Sequence, residues 1–403
     1  MVIRSRYNLG VEESCGARRS RRVPTYRTAG TREEGILLRF AFQDPADEPV
    51  WYGSFRRQLE HEFTDHGHLL TGPEDPDLGL VFHVVDPAAP HPFLRKHRAT
   101  FSVGVVAVSG STGDDLLKEV YPYLVRTISN GLVALDTGTP VHPWLITPEL
   151  GCYRLGDGPG EQPYPALYQA LAPMAMSRLV IDNRFLPDLP ADLWAGTDET
   201  RELTWASRVV DDWGLLPSPF PIQNLLSAAD WRYLKHLYGI GGLSYGNFSI
   251  RHDDSRFWMS ASGVNKGNLV DIGRDILLVT NYDAEAEVMV LSVPPQVQPR
   301  RVSVDAVEHW MIYQRFPEIR AMMHLHAWVP DIPVTSFNYP CGTREVGEEM
   351  SGLLAREPDP GRAVIGLRNH GITATGPSFR DIISRLQGKV RPQVPMAAVG
   401  THS

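Results

Sequence analysis

The residues able to do chemistry in this sequence are histidines set at telling intervals. His324 and His326 lie in AMMHLHAWV (321–329), and His370 lies in GRAVIGLRNHGITATG (361–376). In a strand, side chains alternate between faces, so an HxH pair puts both imidazoles on one side and Leu325 on the other. Alone, such a pair reads as two ordinary histidines. The third motif changes that reading, because Gly371 permits a tight backbone from which His370 points toward a shared metal. Three imidazoles with one position left open form a catalytic divalent site, whereas structural zinc closes all four positions. Zinc suits imidazole ligands, with iron, cobalt or manganese as expected substitutes.

A carboxylate stands just upstream of the HxH strand. SVDAVEHWMIYQRF (303–316) predicts a helix with Ser303 as its cap, Asp305 in the first turn and His309 four residues on along the same face. Asp305 is read either as a general base or fourth ligand, or as a complement to the helix dipole; His309 is read as structural. Gly246 and Asn247 in GNFSIR can offer a backbone and a side-chain amide to an anion, since glycine lets the backbone approach closely. Ser262 and Gly263 end RFWMSASG and can complete such a pocket, with Lys266 near enough to supply charge.

Stepping outward, these groups need strands at GNFSIR, RFWMSASG and AMMHLHAWV, two strands around His370, and a helix from Asp305. Another helix is expected in LSAADWRYLKHLYGIGG, capped by Ser227 or Asp230 and stopped by its glycines. Ahead of this region the pattern is α/β. Phe55, Leu59 and Phe63 recur at helical spacing; 78–86 and 99–110 read as strands, the first buried on both faces. Residues 114–135 read as one long helix containing Pro122, 144–155 as a strand, and 164–180 as a helix. GDGPG (156–160) lacks the residues of a phosphate-binding loop and reads as a plain loop, and His66 and His68 have no third ligand and read as surface histidines.

The composition narrows the class. A chain of 403 residues with 42% hydrophobic and 21% charged residues buries proper cores, and a net charge of −8 argues against nucleic acid as a partner. Three scattered cysteines, Cys15, Cys152 and Cys341, provide neither a disulfide framework nor a metal clip, and this fits a reducing cytoplasm. No apolar run is long enough to span a membrane. The division expected is an arginine-rich disordered tail at 1–35, an α/β domain of unknown topology and role at 36–200, a connection at 201–223, a catalytic domain at 224–393 and a tail at 394–403.

Taken in order, these motifs resemble the class II aldolase/adducin family over about residues 225–390. GNFSIR is similar to its GNxSxR, SASG to its TxxG turn, SVDAVEH to its SS(E/D)xxxH, HLH to its HxH and RNHG to its (N/H)HG, while CGTREVGEEM (341–350) resembles its GTRELxE helix. The resemblance implies an α/β/α domain with a central, mainly antiparallel sheet. It implies that His324, His326 and His370 hold zinc or another divalent ion, that Asp305 is the catalytic acid/base or a further ligand, and that Gly246, Asn247, Ser262, Gly263 and Ser303 hold a substrate phosphate. Val304 stands where phosphate-binding members carry a second serine, so phosphorylation of the substrate is left open. The activity implied is metal-dependent aldolase-type cleavage of a small sugar-like hydroxy-carbonyl compound through a metal-stabilised enediolate, in carbohydrate metabolism. Epimerisation, dehydration and decarboxylation are the alternatives within the family, and an adducin-like interaction module is the alternative outside catalysis. A homo-oligomeric ring, a tetramer, is the assembly expected.

Overall fold

The computed structural model describes residues 37–96, 100–110, 113–137, 141–147, 151–156, 162–215, 222–237 and 245–395. The arginine-rich segment 1–35, residues 157–160 of the glycine-rich loop, 241–244 and the end from 396 lie outside the described residues.

The front of the chain runs β1 (Arg39–Gln43), α1 (Tyr52–Asp65), β2 (Leu69–Leu70), β3 (Leu80–Val84), β4 (Phe101–Val108), α2 (Gly113–Thr127), β5 (Gly131–Asp136), β6 (His142–Thr147), β7 (Gly151–Arg154) and α3 (Pro163–Met176). These strands form a seven-stranded sheet in the order β2-β1-β3-β4-β5-β6-β7. The first five are parallel, and β5, β6 and β7 are antiparallel. Parallel strands are covered on both faces, which is why their sequences are almost continuously apolar. Alternation divides them: Val103, Val105, Val133 and Leu135 join α1 and α3 in one core, while Val106, Val108, Leu132 and Ala134 join α2 in another.

Two expectations need correction here. The helix read across 114–135 stops at Thr127, because Ile128 takes a positive φ of 52° and Gly131 opens strand β5. The single strand read at 144–155 is a hairpin, with Leu145 opposite Tyr153 and Thr147 opposite Gly151.

The rest of the chain runs β8 (Asp182–Leu186), α4 (Asp198–Asp211), α5 (Ala228–Leu237), β9 (Gly246–Arg251), β10 (Phe257–Ser260), β11 (Ile276–Asp283), β12 (Val288–Ser292), α6 (Ala306–Arg315), β13 (Ala321–Leu325), α7 (Arg344–Leu354), β14 (Val364–Leu367), β15 (Gly371–Gly376) and α8 (Phe379–Leu386). The second sheet has eight strands in the order β14-β15-β13-β9-β10-β11-β12-β8. Its pairings are antiparallel except that of β12 with β8. It is the α/β/α domain that the resemblance implied. Phe248 of β9 meets Phe379 of α8, whereas Ser249, one residue on, reaches His309 and Tyr313 of α6. Helices α4 and α8 therefore cover one face, and α6, with α7 packed beside it, covers the other. The edge strand β8 comes from residues 182–186, ahead of the 201–223 connection, and α4 overlaps that connection while packing on β9.

Candidate metal centre

The site grows from the end of β13. This strand lies between β9 and β15, with His324 opposite Asn247 on one side and Thr373 on the other. His326 follows directly after the strand and its amide donates to the Tyr245 carbonyl at 2.9 Å. His370 occupies the tight turn between β14 and β15, where Asn369 has φ of 56° and the His370 amide donates to Leu367 O at 3.0 Å. Two glycines allow the neighbouring strands to close in. A Cβ on Gly371 would lie 2.1 Å from the Leu325 carbonyl oxygen, and one on Gly246, with φ of +146°, would lie 2.0 Å from that of His324. No side chain fits at either position.

These elements bring His324, His326 and His370 together, with ring centroids 5.3, 4.8 and 5.0 Å apart. One nitrogen from each lies within 4.8 Å of the other two. Ligands at about 2.1 Å from one tetrahedral centre sit roughly 3 to 3.5 Å apart, so the rings are gathered but stand wider than a closed coordination shell. The donor chemistry fits a divalent ion. His324 is fully buried and its Nε2 has no hydrogen-bond partner. Burial, together with the neighbouring imidazoles, holds His324 well below the usual histidine range; burial and His326 do the same to His370. Neutral rings keep the lone pairs that a metal requires.

Asp305 is placed beside this cluster, with a role different from a cap. It occupies the position before α6, but its side chain makes no capping bond; Oδ2 instead accepts from Asn247 Nδ2 at 2.6 Å, in a buried setting. The expectation that Ser303 caps this helix is corrected: α6 starts at Ala306, and Ser303 contributes its carbonyl oxygen to the Ala306 amide at 3.1 Å. His309 is built into the interior, with Nδ1 2.6 Å from Ser249 Oγ, and burial brings it down to about 3.

The residues expected around an anion are distributed across neighbouring strands. Gly246 and Asn247 open β9, and Ser262 and Gly263 form the turn after β10, where the Ser262 amide donates to Arg301 O at 2.9 Å. Ser303 is tied to this turn through its amide, which donates to Ser260 O at 3.2 Å. Lys266 is buried, and its Nζ donates to the Ala261 carbonyl at 2.5 Å. Burial lowers it to about 7 against the opposing pull of Asp305 and Asp275.

Two residues near the histidines were missed from sequence. Glu308, 1% exposed, accepts from Thr373 Oγ1 at 2.9 Å, and burial followed by the charge of Asp305 pushes it up to about 8. Its signal was available: Asp305, Glu308 and Ile312 share the inward stripe of a helix, an odd place for a carboxylate. Cys341, half-buried and in no disulfide, has its Sγ 3.3 Å from His370 Nδ1.

Three gathered imidazoles and a buried carboxylate on an α/β/α frame define a candidate divalent-metal centre suited to moving a proton on a small molecule. The family model described as Class II Aldolase and Adducin N-terminal domain matches residues 229–329. A methylthioribulose-1-phosphate dehydratase of Klebsiella pneumoniae (strain 342) is 33% identical over 179 residues, covering 36% of this chain and 79% of that protein. The chain belongs to the class II aldolase and adducin family. A protein of the same description from Stenotrophomonas maltophilia (strain R551-3) is 34% identical over 86 residues; the match spans 21% of this chain and 35% of the relative. Among solved structures, L-fuculose 1-phosphate aldolase is 16% identical with a TM-score of 0.31, covering 50% of this chain and 92% of that one. YgbL from Klebsiella pneumoniae, a putative aldolase/epimerase/decarboxylase, is 17% identical with a TM-score of 0.30, covering 47% and 84%.

Proposed function

We propose that the protein is a divalent-metal-dependent lyase acting on a small hydroxy-carbonyl compound, with His324, His326 and His370 as the metal ligands. The observation that carries this reading is the buried, unpartnered Nε2 of His324 within a cluster of three imidazoles. Zinc is the ion we assign by donor type. A divalent ion held there supplies Lewis acidity to carbonyl and hydroxyl oxygens of the substrate.

The chain's own residues do the rest. Asp305, oriented by Asn247 Nδ2, takes the proton from the carbon beside the substrate carbonyl and passes it to the hydroxyl on the next carbon, which departs as water. The dehydratase relatives favour this C–O cleavage over the aldolase-type C–C cleavage expected from sequence. Lys266 lies near enough to Asp305 to interact with it electrostatically. Gly246, Asn247, Ser262, Gly263 and Ser303 are assigned to the anionic end of the substrate.

We also assign a homo-oligomer, a tetramer, in the cytoplasm, and a role in carbohydrate metabolism. Among the described residues no helix is long and apolar enough to cross a membrane. The division into domains at 36–200 and 224–393 is retained, with β8 as the element contributed across it. A panel of phosphorylated and unphosphorylated hydroxyketones, assayed with zinc-loaded and metal-depleted protein, tests the reading. Water elimination that disappears with the metal supports it; full turnover by metal-depleted protein refutes it.

A further inference from the structure

Glu308 is a buried carboxylate on a helix whose other buried residues are Ala306, Val307, His309, Ile312 and Tyr313. The family resemblance assigns Asp305 in the same motif and leaves Glu308 without a role. Its Oε1 accepts from Thr373 Oγ1 at 2.9 Å, and Thr373 Oγ1 lies 3.5 Å from His324 Nδ1. Thr373 is the residue paired with His324 across β13 and β15, so the hydroxyl and the imidazole are held side by side by backbone register. The His324 ring also donates a hydrogen bond to the backbone carbonyl of Ile372. The Nδ1 side thus faces β15, while Nε2 is left without a partner.

We infer that Glu308 and Thr373 form a positioning pair for the metal site. Thr373, its hydroxyl proton committed to Glu308, offers an oxygen lone pair to His324 Nδ1–H and so fixes the ring and the tautomer that leaves Nε2 free to ligate. Metal-bound histidines are held in this manner by outer groups whose loss typically weakens metal binding about 10- to 100-fold. Neither residue touches substrate; both act through His324. The inference rests on the metal reading proposed above.

The test is competition for Zn2+ between the metal-depleted full chain and a chromophoric chelator, with thermal melting of the metal-depleted proteins to establish folding. Glu308→Leu and Thr373→Val are each expected to weaken Zn2+ binding about 10- to 100-fold. Glu308→Gln, which keeps an acceptor oxygen, and Thr373→Ser, which keeps the hydroxyl, are expected to bind within a few-fold of the unmodified chain. Because both residues act along one chain of contacts, the Glu308→Leu/Thr373→Val double variant is expected to lose no more affinity than the weaker single variant. Unchanged affinity in folded Glu308→Leu and Thr373→Val, with binding lost in His324→Ala, overturns the inference and leaves the metal reading standing. Losses that multiply in the double variant overturn it too, since they mark two unrelated packing effects. If the unmodified chain itself takes up no Zn2+, the metal reading falls first and takes this inference with it.

Discussion

Each of the two sheets buries a histidine, and the two are used in opposite ways. His83 on β3 of the parallel sheet is 4% exposed, and its Nε2 lies 3.0 Å from Ser129 Oγ, which is in turn 2.8 Å from Thr127 Oγ1. Burial brings it down to about 4, so it sits neutral in a core whose polar atoms satisfy one another. His324 on β13 of the antiparallel sheet is just as buried, yet its Nε2 has no partner and two further imidazoles stand around it. Burial alone therefore separates nothing. What marks a site is an unsatisfied buried nitrogen in the company of other donors.

Topology supplies the reason for the difference. In the front sheet the parallel strands need apolar residues on both faces, and Val, Leu and Phe fill them. In the rear sheet β9 turns Phe248 toward α8 but Asn247, Ser249 and Arg251 toward α6, so one face is polar inside the protein. That face is where Asp305, Glu308 and His309 arrive from α6.

The sharpest way to break the comparison is to remove each histidine. His324→Ala is expected to abolish Zn2+ retention after dialysis, while His83→Ala leaves it intact; metal content per folded chain is the measurement, and equal loss in both would erase the distinction. Asp305→Asn comes next, with turnover reduced about a hundred- to ten-thousand-fold and Zn2+ affinity nearly unchanged, as expected for removal of a general base. Turnover within a few-fold of the unmodified enzyme would return Asp305 to a purely local role at the start of α6. In the front sheet, Phe82→Ala, at a site stacked 5.1 Å from Phe42, should lower stability by about 3–5 kcal/mol in denaturant melts without altering Zn2+ affinity of the folded protein.

A smaller effect separates two titratable groups buried against the rear sheet, Glu308 and Lys266. Glu308, at about 8 against an ordinary 4.5, keeps a proton that the unfolded chain has released, so stability falls as pH rises between those values. Lys266, at about 7 against 10.5, has lost a proton that the unfolded chain retains, so stability rises with pH across that interval. Each slope is limited to about 1.4 kcal/mol per pH unit, the free energy of one proton per pH unit. Urea midpoints of metal-depleted protein against pH should lose the first slope in Glu308→Gln and the second in Lys266→Met; curves that overlie the unmodified protein would contradict both assignments.

The site was more legible in the sequence than the frame around it. The strand period of two placed His324 and His326 together, and the glycine after His370 announced the turn that brings in the third ring. Asp305 was legible as a residue of interest, although its partner Asn247 lies on another strand and is invisible to spacing. Glu308 was passed over because a glutamate on a helix ordinarily reads as solvated, and only the inward stripe of α6 distinguishes it. The helix at 114–135 was overrun because Leu132, Val133 and Leu135 continue the apolar content without a change of composition; Asn130-Gly131 was the punctuation. β8 fell within the front domain expected at 36–200, because its place in the rear sheet depends on pairing with β12, a segment more than a hundred residues away.

The most direct measurement is X-ray absorption at the zinc edge on full-length chain that has been stripped of metal, dialysed against Zn2+ and freed of excess. The account predicts one ion per chain with three imidazole nitrogens at about 2.0 to 2.1 Å, and one imidazole fewer, or no retained zinc, in His370→Ala. Zinc that is not retained by the unmodified chain, or a coordination shell that His370→Ala leaves unchanged, would contradict it.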